Sequence, residues 1–356
     1  MFGFNGASMS DLTEKVQFLS EPGSYAGTTE HVEAHETHMS WVFMTDRRVY
    51  KLKKPVSYPF LDFSTLKKRQ FYCQEEIRLN RQLASRTYIA TVALRRTRSG
   101  RLTLSNKGRV IDWLVEMRRL PADQMLDARI RRGHVKPDEI CTVGELLAAF
   151  YAGRSQNPVE GYAYVRHLET EQAINRSILQ RCEFGLSDLV TDALDTVNQA
   201  LISLGPLLRE RIARGIIVEG HGDLRPEHVC LTDPPQIIDC LEFNRAMRII
   251  DPYDEVTYLG LECDMLDAPW IRPLLRKILE EKLGDRPNAQ LLALYGGFRA
   301  LLRARLCISH LLDSPLRNPE KWRPLAVRYI SAAEKECLIL PRAVGTTRRS
   351  TKLRAT

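Results

Sequence analysis

Several things are missing from this chain, and each absence closes a door. The eight cysteines, at positions 73, 141, 182, 230, 240, 263, 307 and 337, never form a C-x-x-C pair. That argues against a thiolate zinc site and against a redox dithiol. They read as buried thiols of a reducing compartment, so a cytoplasmic protein is expected. No apolar run approaches the roughly 20 residues that cross a bilayer, and the opening MFGFNGASMSDLTEK lacks a basic start followed by an apolar core. No membrane partner is therefore expected. There is no internal repeat, which excludes a solenoid. No G-x-x-x-x-G-K-[ST] occurs, so the chain is not expected to carry a P-loop of its own.

What is present is an ordinary globular composition, with 44% hydrophobic and 27% charged residues over 356 positions, enough for two domains of usual size. The net charge of +8 would raise nucleic acid as a partner, but five of those charges (Arg342, Arg348, Arg349, Lys352, Arg354) sit in residues 341–356 with no acid among them. A short tail of that kind reads as a solvated, disordered end, and nucleic acid is not expected as a partner.

Patterning divides the rest. A short helix at 11–20 is followed by alternating segments at 31–44 and 49–55 around the polar turn TDRR, which predicts a hairpin. Ser64 is placed to cap a helix over 64–83, and strands are predicted at 91–98, 101–105 and 109–120. Beyond Pro121 helical periodicity takes over, at 137–155, 160–182, 187–214, 252–264, 270–283, 288–312 and 319–338. The expected division is a small mixed lobe at 10–120, a larger helical lobe at 121–340, and the tail at 341–356.

The interruption in the helical part is the informative stretch. HGDLRPEHV, from His221 to Val229, is followed by IIDCLEF, from Ile237 to Phe243. Set beside the kinase loop H-R-D-L-x-x-x-N it keeps His221, Asp223 and Leu224, with His228 in the asparagine position. Sixteen positions on, after a turn, comes a second acid, Asp239. Phosphoryl transfer asks for a base at the acceptor hydroxyl, metal ligands and cations for the phosphates. Asp223 fits the base and Asp239 the metal ligand. His221 reads as structural. Arg225, two residues after the base, is a candidate cation for the transferred group.

These motifs resemble those of the aminoglycoside phosphotransferase family, and within it a bacterial group of uncharacterised phosphotransferase-like proteins. The resemblance runs over residues 30–315 through ETHMSWVF, YKLKKPV, FLDFSTL, EEIRLNR, HGDLRPEHVCL and IIDCLEFN, in that order. It implies an α+β, two-lobed, protein-kinase-like fold and transfer of the γ-phosphate of ATP or GTP to a hydroxyl of a small molecule. Mg²⁺ is the implied metal, with Mn²⁺ as an alternative.

In such a fold a third-strand lysine meets the phosphates and pairs with a helix glutamate. Lys51 and Lys53 share a strand face. Lys51 is preferred because the residue two before the lysine packs on the purine, and Val49 is apolar whereas Lys51 itself would precede Lys53. The partner should be Glu76, or Glu75 if the register slips. Glu116 and Met117, in the segment connecting the lobes, would offer backbone groups to the base.

The departures carry expectations too. Imidazole suits softer ions than Mg²⁺, so His228 predicts a weakened second metal position or good tolerance of Mn²⁺. Nothing between Tyr25 and Trp41 gives G-x-G-x-x-G, so Thr37, His38 and Ser40 would cover the triphosphate instead. Eleven residues separate Asp239 from Asp251 and no A-P-E follows, leaving no room for an activation segment. Asp251 and Asp254 read as a helix cap and loop anchor, and Glu242 as a group near the metal or an ion-pair partner of Arg245 or Arg248. The acids Glu255, Glu262, Asp264 and Asp267 suggest a cationic acceptor. The alternative function is a nucleotide-binding regulatory pseudo-kinase without transfer.

Overall fold

A computed structural model describes residues 6–154, 158–312 and 318–341. The basic tail, from residue 342 onward, lies outside them. The described residues fall into two compact units. One comprises those within Met1–Gly153, His221–Arg248 and Leu266–Ala268, and the other those within Arg154–Gly220, Ile249–Met265 and Pro269–Thr356. This grouping differs from a single cut at residue 120, because the segment containing Asp223 and Asp239 packs with the sheet.

The first unit contains α1 (Gly6–Ser20), β1 (Glu33–Glu36), β2 (Ser40–Met44), β3 (Arg48–Lys53), β4 (Ser57–Tyr58), β5 (Leu61–Asp62), α2 (Leu66–Asn80), β6 (Tyr88–Arg96), β7 (Leu102–Thr103), β8 (Arg109–Arg118), α3 (Leu126–Arg131) and α4 (Pro137–Ala152). Six strands form one antiparallel sheet in the order β1-β2-β3-β8-β6-β7. The predicted first arm, 31–44, is two strands. Thr37 breaks it, its N–H donating to the Ser40 carbonyl and its Oγ1 accepting from the Ser40 N–H.

Alternation along the strands gives the sheet two apolar faces. Phe43, Leu52, Leu94 and Leu114 cluster with Leu19 of α1 on one side. Val115 and Met117 cluster with Cys73 and Ile77 of α2 on the other. Each fully buried leucine or phenylalanine of this kind contributes about 1.5–3 kcal/mol. Helix α2 starts one residue later than expected, because Thr65 rather than Ser64 caps it, accepting from the Lys68 N–H. Its buried positions Cys73, Glu76, Ile77 and Asn80 follow helical spacing and carry two polar groups into the interior. Asp112 of β8, buried, accepts from Arg69 of α2 at 2.7 and 3.0 Å and from Lys15 of α1 at 2.9 Å. That fixes both helices to the sheet.

The segment 221–243 is held to this unit by its own backbone. Val229–Cys230 pairs with Gln236–Ile237 as a short hairpin. The Ile237 N–H donates to the Leu83 carbonyl at 3.2 Å, and Thr87 Oγ1 donates to Gln236 at 2.5 Å.

The second unit is helical: α5 (Pro158–Leu179), α6 (Ser187–Ser203), α7 (Gly205–Ala213), α8 (Pro252–Asp264), α9 (Ile271–Leu283), α10 (Ala289–Ser309) and α11 (Pro319–Cys337). The helix predicted over 187–214 is two helices, broken at Gly205–Pro206, where proline has no N–H for the ladder but suits a first turn. Helix α10 is central, packing on α5, α8 and α11. Among the described residues no helix is long and apolar enough to cross a membrane.

Asp251 caps α8 as expected, accepting from the Tyr253 N–H, and also pairs with Arg211 and accepts from Tyr295 at 2.9 Å. Asp254, fully buried, is chelated by Arg299 at 2.7 and 2.8 Å and accepts from Tyr164. Glu262 is bound by Arg303 and Tyr329, and Asp264 lies 3.5 Å from Arg272. Asp251, Asp254 and Glu262 are thus engaged within the unit.

Candidate active site

Strand β3 is the site's floor. Its residues 49, 51 and 53 point to the α2 side, and the two lysines are shared with α2 and the Asp239 segment. Lys51 Nζ lies 2.7 Å from Asp239 Oδ1 and 3.0 Å from Glu76 Oε1. Lys53 Nζ lies 2.6 Å from Glu76 Oε2 and also bonds Glu242. The result is one unbroken row of alternating charge, Asp239, Lys51, Glu76, Lys53, Glu242, with three acids and two bases. Glu75 is turned outward and paired with Arg78 at 2.7 Å, so Glu76 is the lysine's partner.

The row explains the shifted protonation equilibria. Burial works against charge on Lys51, but Asp239 and then Glu76 raise its pKa well above the usual lysine range. Burial likewise opposes ionisation of Asp239, and the Lys51 ammonium outweighs it, holding the carboxyl far below the ordinary range. Glu76, between two ammonium groups, is also held low despite burial. Glu242 at the inner end goes the other way, because burial outweighs the single Lys53 partner. Lys53 is fully buried, whereas the Asp239 side chain is 45% exposed, so the row opens at the Asp239 end.

The loop after Gly220 brings the remaining groups. His221 is completely buried, with Nε2 at 2.9 Å from the Ile238 carbonyl and Nδ1 accepting from the Asp223 N–H at 3.3 Å. It therefore holds the loop together. Gly222 sits at φ 90°, a backbone that suits glycine, and a Cβ there would meet Leu241 at 3.0 Å. Asp223 follows with its carboxylate 34% exposed.

His228 Nδ1 lies 2.8 Å from the Asp223 carbonyl, which can only accept, so the neutral ring carries its proton there and presents an Nε2 lone pair. That nitrogen faces Asp239 Oδ2 at 3.7 Å. The Arg225 guanidinium pairs with Glu227 and lies 3.9 Å from Asp223 Oδ2, and it is not among the cavity's lining residues.

These groups line a cavity of about 490 Å³ in the first unit. Lys51, Glu76, Asp223, His228, Asp239 and Glu242 form its polar end. Val42, Met44, Val49, Met117, Leu120 and Ile238 form an apolar slot, and Thr37 and Ser40 also line the cavity. Val49 and Met117 both line this cavity, and Glu116 does not. Glu116 and Met117 lie near the C-terminal end of β8, paired with Tyr50 and Val49 on one side and with Ala90 and Tyr88 on the other. Their backbone groups belong to the sheet, the Glu116 side chain lies near Tyr50 and Arg48, and Met117 contributes its side chain alone. The Arg118 and Arg119 N–H groups are also taken, by the Thr87 and Arg47 carbonyls.

The donor set suits a hard divalent cation in part. Asp239 offers a partly exposed carboxylate, while His228 offers nitrogen, which Mg²⁺ accepts less readily. Among the described residues no group of three or more His, Cys, Asp or Glu side chains converges as a complete metal site.

Sequence reasoning did not find Lys53 with Glu242, nor the contacts of Asn80 and Tyr88 with the Asp239 turn. Two lysines with one spacer facing a single helix glutamate was the available signal for the first.

No family model matches the chain. It is 26% identical over 313 residues to uncharacterized proteins of Mycobacterium tuberculosis and Mycobacterium bovis, covering 83% of this chain. The chain spans about three fifths (59%) of the length of those relatives. Among solved structures, a choline/ethanolamine kinase family protein from Mesorhizobium loti matches with a TM-score of 0.52 at 14% identity, over 92% of this chain and 94% of that one. Choline kinase from Cryptosporidium parvum gives 0.52 at 10%, over 92% and 96%. A thermostable mutant of the aminoglycoside phosphotransferase APH(4)-Ia, in ternary complex with AMP-PNP and hygromycin B, gives 0.50 at 11%, over 94% and 100%. The chain has the kinase-like fold of these proteins.

Proposed function

We propose that this protein is a phosphotransferase that moves the γ-phosphate of ATP or GTP to a hydroxyl of a small molecule. The observation that carries the reading is Lys51, held at once by Glu76 and Asp239 at the polar end of a cavity whose other end is an apolar slot. Those are the parts that phosphoryl transfer needs, and they come from three separate elements.

In this reading Val49, Met44, Met117 and Ile238 sandwich the base, and Lys51, kept charged by its two carboxylates, meets the phosphates. Asp239 is the ligand for Mg²⁺, with His228 beside it; the bound ion would neutralise charge on the phosphate oxygens. Asp223 orients the acceptor hydroxyl and takes its proton. Arg225 and the His228 hydrogen bond to the Asp223 backbone hold that residue in place. The fold neighbours include enzymes named for choline, ethanolamine and aminoglycosides, which makes alcohols of cationic small molecules the first acceptors to try. The residues that select among them are not assigned, since fold alone does not give substrate.

The test is a phosphorylation screen of metabolite extracts with γ-labelled ATP, run beside Asp223→Asn. Label should enter a small molecule with the wild type, and turnover should fall by about 10²–10⁴ in the variant while nucleotide binding persists. Equal transfer by Asp223→Asn would overturn the mechanism. Tight nucleotide binding with no labelled product from any extract would favour a regulatory pseudo-kinase.

A further inference from the structure

Asp239 has φ 63°, a left-handed backbone that a residue with a Cβ adopts only when its surroundings impose it. We propose that Tyr88 and Asn80 are the positioning residues that impose it, and so set where the carboxylate lies. The proposal rests on reading Asp239 as the ligand for Mg²⁺.

Residues 239–241 follow the short hairpin and belong to no strand, so their N–H groups must find acceptors elsewhere. Each finds a different one. The Asp239 N–H donates to Tyr88 Oη at 3.1 Å, the Cys240 N–H to Asn80 Oδ1 at 2.8 Å, and the Leu241 N–H to the His221 carbonyl at 3.0 Å. The three acceptors tie the turn to β6, to α2 and to the Asp223 loop. Asn80 is fully buried and has a second bond, its Nδ2 donating to the Glu76 carbonyl at 2.8 Å. One amide side chain thus joins the helix turn carrying Glu76 to the residue after Asp239.

Tyr88 is 2% exposed and opens β6 where the register with β8 shifts. It pairs with Met117 on the α2 side of the sheet and lines the cavity. Burial, together with Glu76 and Asp239, pushes its phenol well above the usual range, so the hydroxyl stays neutral.

Such a clamp does the work of an activation segment without having one. With both bonds in place the Asp239 carboxylate stands 2.7 Å from Lys51 and faces His228. With the Tyr88 hydroxyl gone, the Asp239 N–H loses its acceptor and the backbone can relax to negative φ, which swings the carboxylate away. Binding that depends on Mg²⁺ should then suffer more than binding through Lys51 and the apolar slot. A purely structural role would weaken both together.

The decisive variant is Tyr88→Phe, which removes one oxygen and keeps the ring. Two readouts are needed: amide hydrogen exchange over residues 236–243 in the ligand-free protein, and AMP-PNP affinity with Mg²⁺ against affinity in EDTA. The expected result is about tenfold faster exchange confined to that segment and about a tenfold loss of the Mg²⁺ enhancement, with a smaller change in metal-free affinity. Unchanged protection of 236–243 in folded Tyr88→Phe overturns the proposal. If Tyr88→Phe loses protection throughout, Asn80→Ala is read the same way, and global loss in both assigns a structural role and also overturns it. A wild type that shows no Mg²⁺-dependent nucleotide binding sinks the reading of Asp239, and the exchange result still decides the clamp.

Discussion

Replacing Lys53 by methionine should be far more damaging than neutralising its partner Glu242, although the two residues share one ion pair. Lys53 is fully buried between Glu76 and Glu242. Taking it away leaves Glu242 with no cation and Glu76 with only Lys51, and an orphaned buried charge typically costs about 3–5 kcal/mol. In Glu242→Gln, Lys53 keeps Glu76 at 2.6 Å, and the lost group is one whose ionisation burial already opposes. That change should cost about 1 kcal/mol. For a unit of this size each kcal/mol moves Tm by about 2–4 °C, so the single variants should differ by roughly 4 °C or more in calorimetry. The double variant should cost less than the sum, with a coupling of about 0.5–3 kcal/mol. Strict additivity, or a Glu242→Gln variant as unstable as Lys53→Met, would refute the idea of a single coupled row.

Two further outcomes can be stated with their checks. His228→Asn should raise turnover with Mg²⁺ relative to Mn²⁺, because an amide oxygen replaces imidazole nitrogen beside Asp239; an unchanged metal ratio would contradict the ligand role. In the helical unit, Asp264 has its carboxyl raised to about 6 by burial against the Arg272 pair. The unfolded chain ionises it near 3.8, so this group weakens the fold progressively as pH rises from 4 to 6 and by up to about 3 kcal/mol above that. Asp264→Asn should therefore raise Tm at pH 7.5 more than at pH 4.5, and an equal effect at both would be evidence against it.

The site was legible in the sequence because its residues come in short, ordered runs. Asp223, His228 and Asp239 sit in two adjacent turns, and Val49 with Lys51 obey strand alternation, so local pattern was enough to predict what they would line. Glu76 was within reach because a helix repeats every three to four residues. Glu116 and Met117 are paired into the sheet, which the sequence did not show, because how far a strand's pairing runs is set by neighbours far away in sequence: β3 and β6 are both bonded to β8.

The pairing of Arg225 with Glu227, two residues on, was not weighed from the sequence. Asn80 and Tyr88 gave no signal. Their proposed role follows from two backbone amides of a turn 151 and 160 residues away, which no periodicity encodes. In the helical unit Pro206 was readable as a break and was passed over for the apolar periodicity on either side.

The central claim is that Lys51 and Asp239 together receive a metal-bound nucleotide. Its most direct test is AMP-PNP titration, with and without Mg²⁺, of the wild type, Lys51→Met and Asp239→Asn. Mg²⁺ should tighten binding to the wild type, Lys51→Met should bind weakly in either condition, and Asp239→Asn should bind equally with and without the ion. Binding that is the same in all three proteins, or absent from the wild type, would contradict the account.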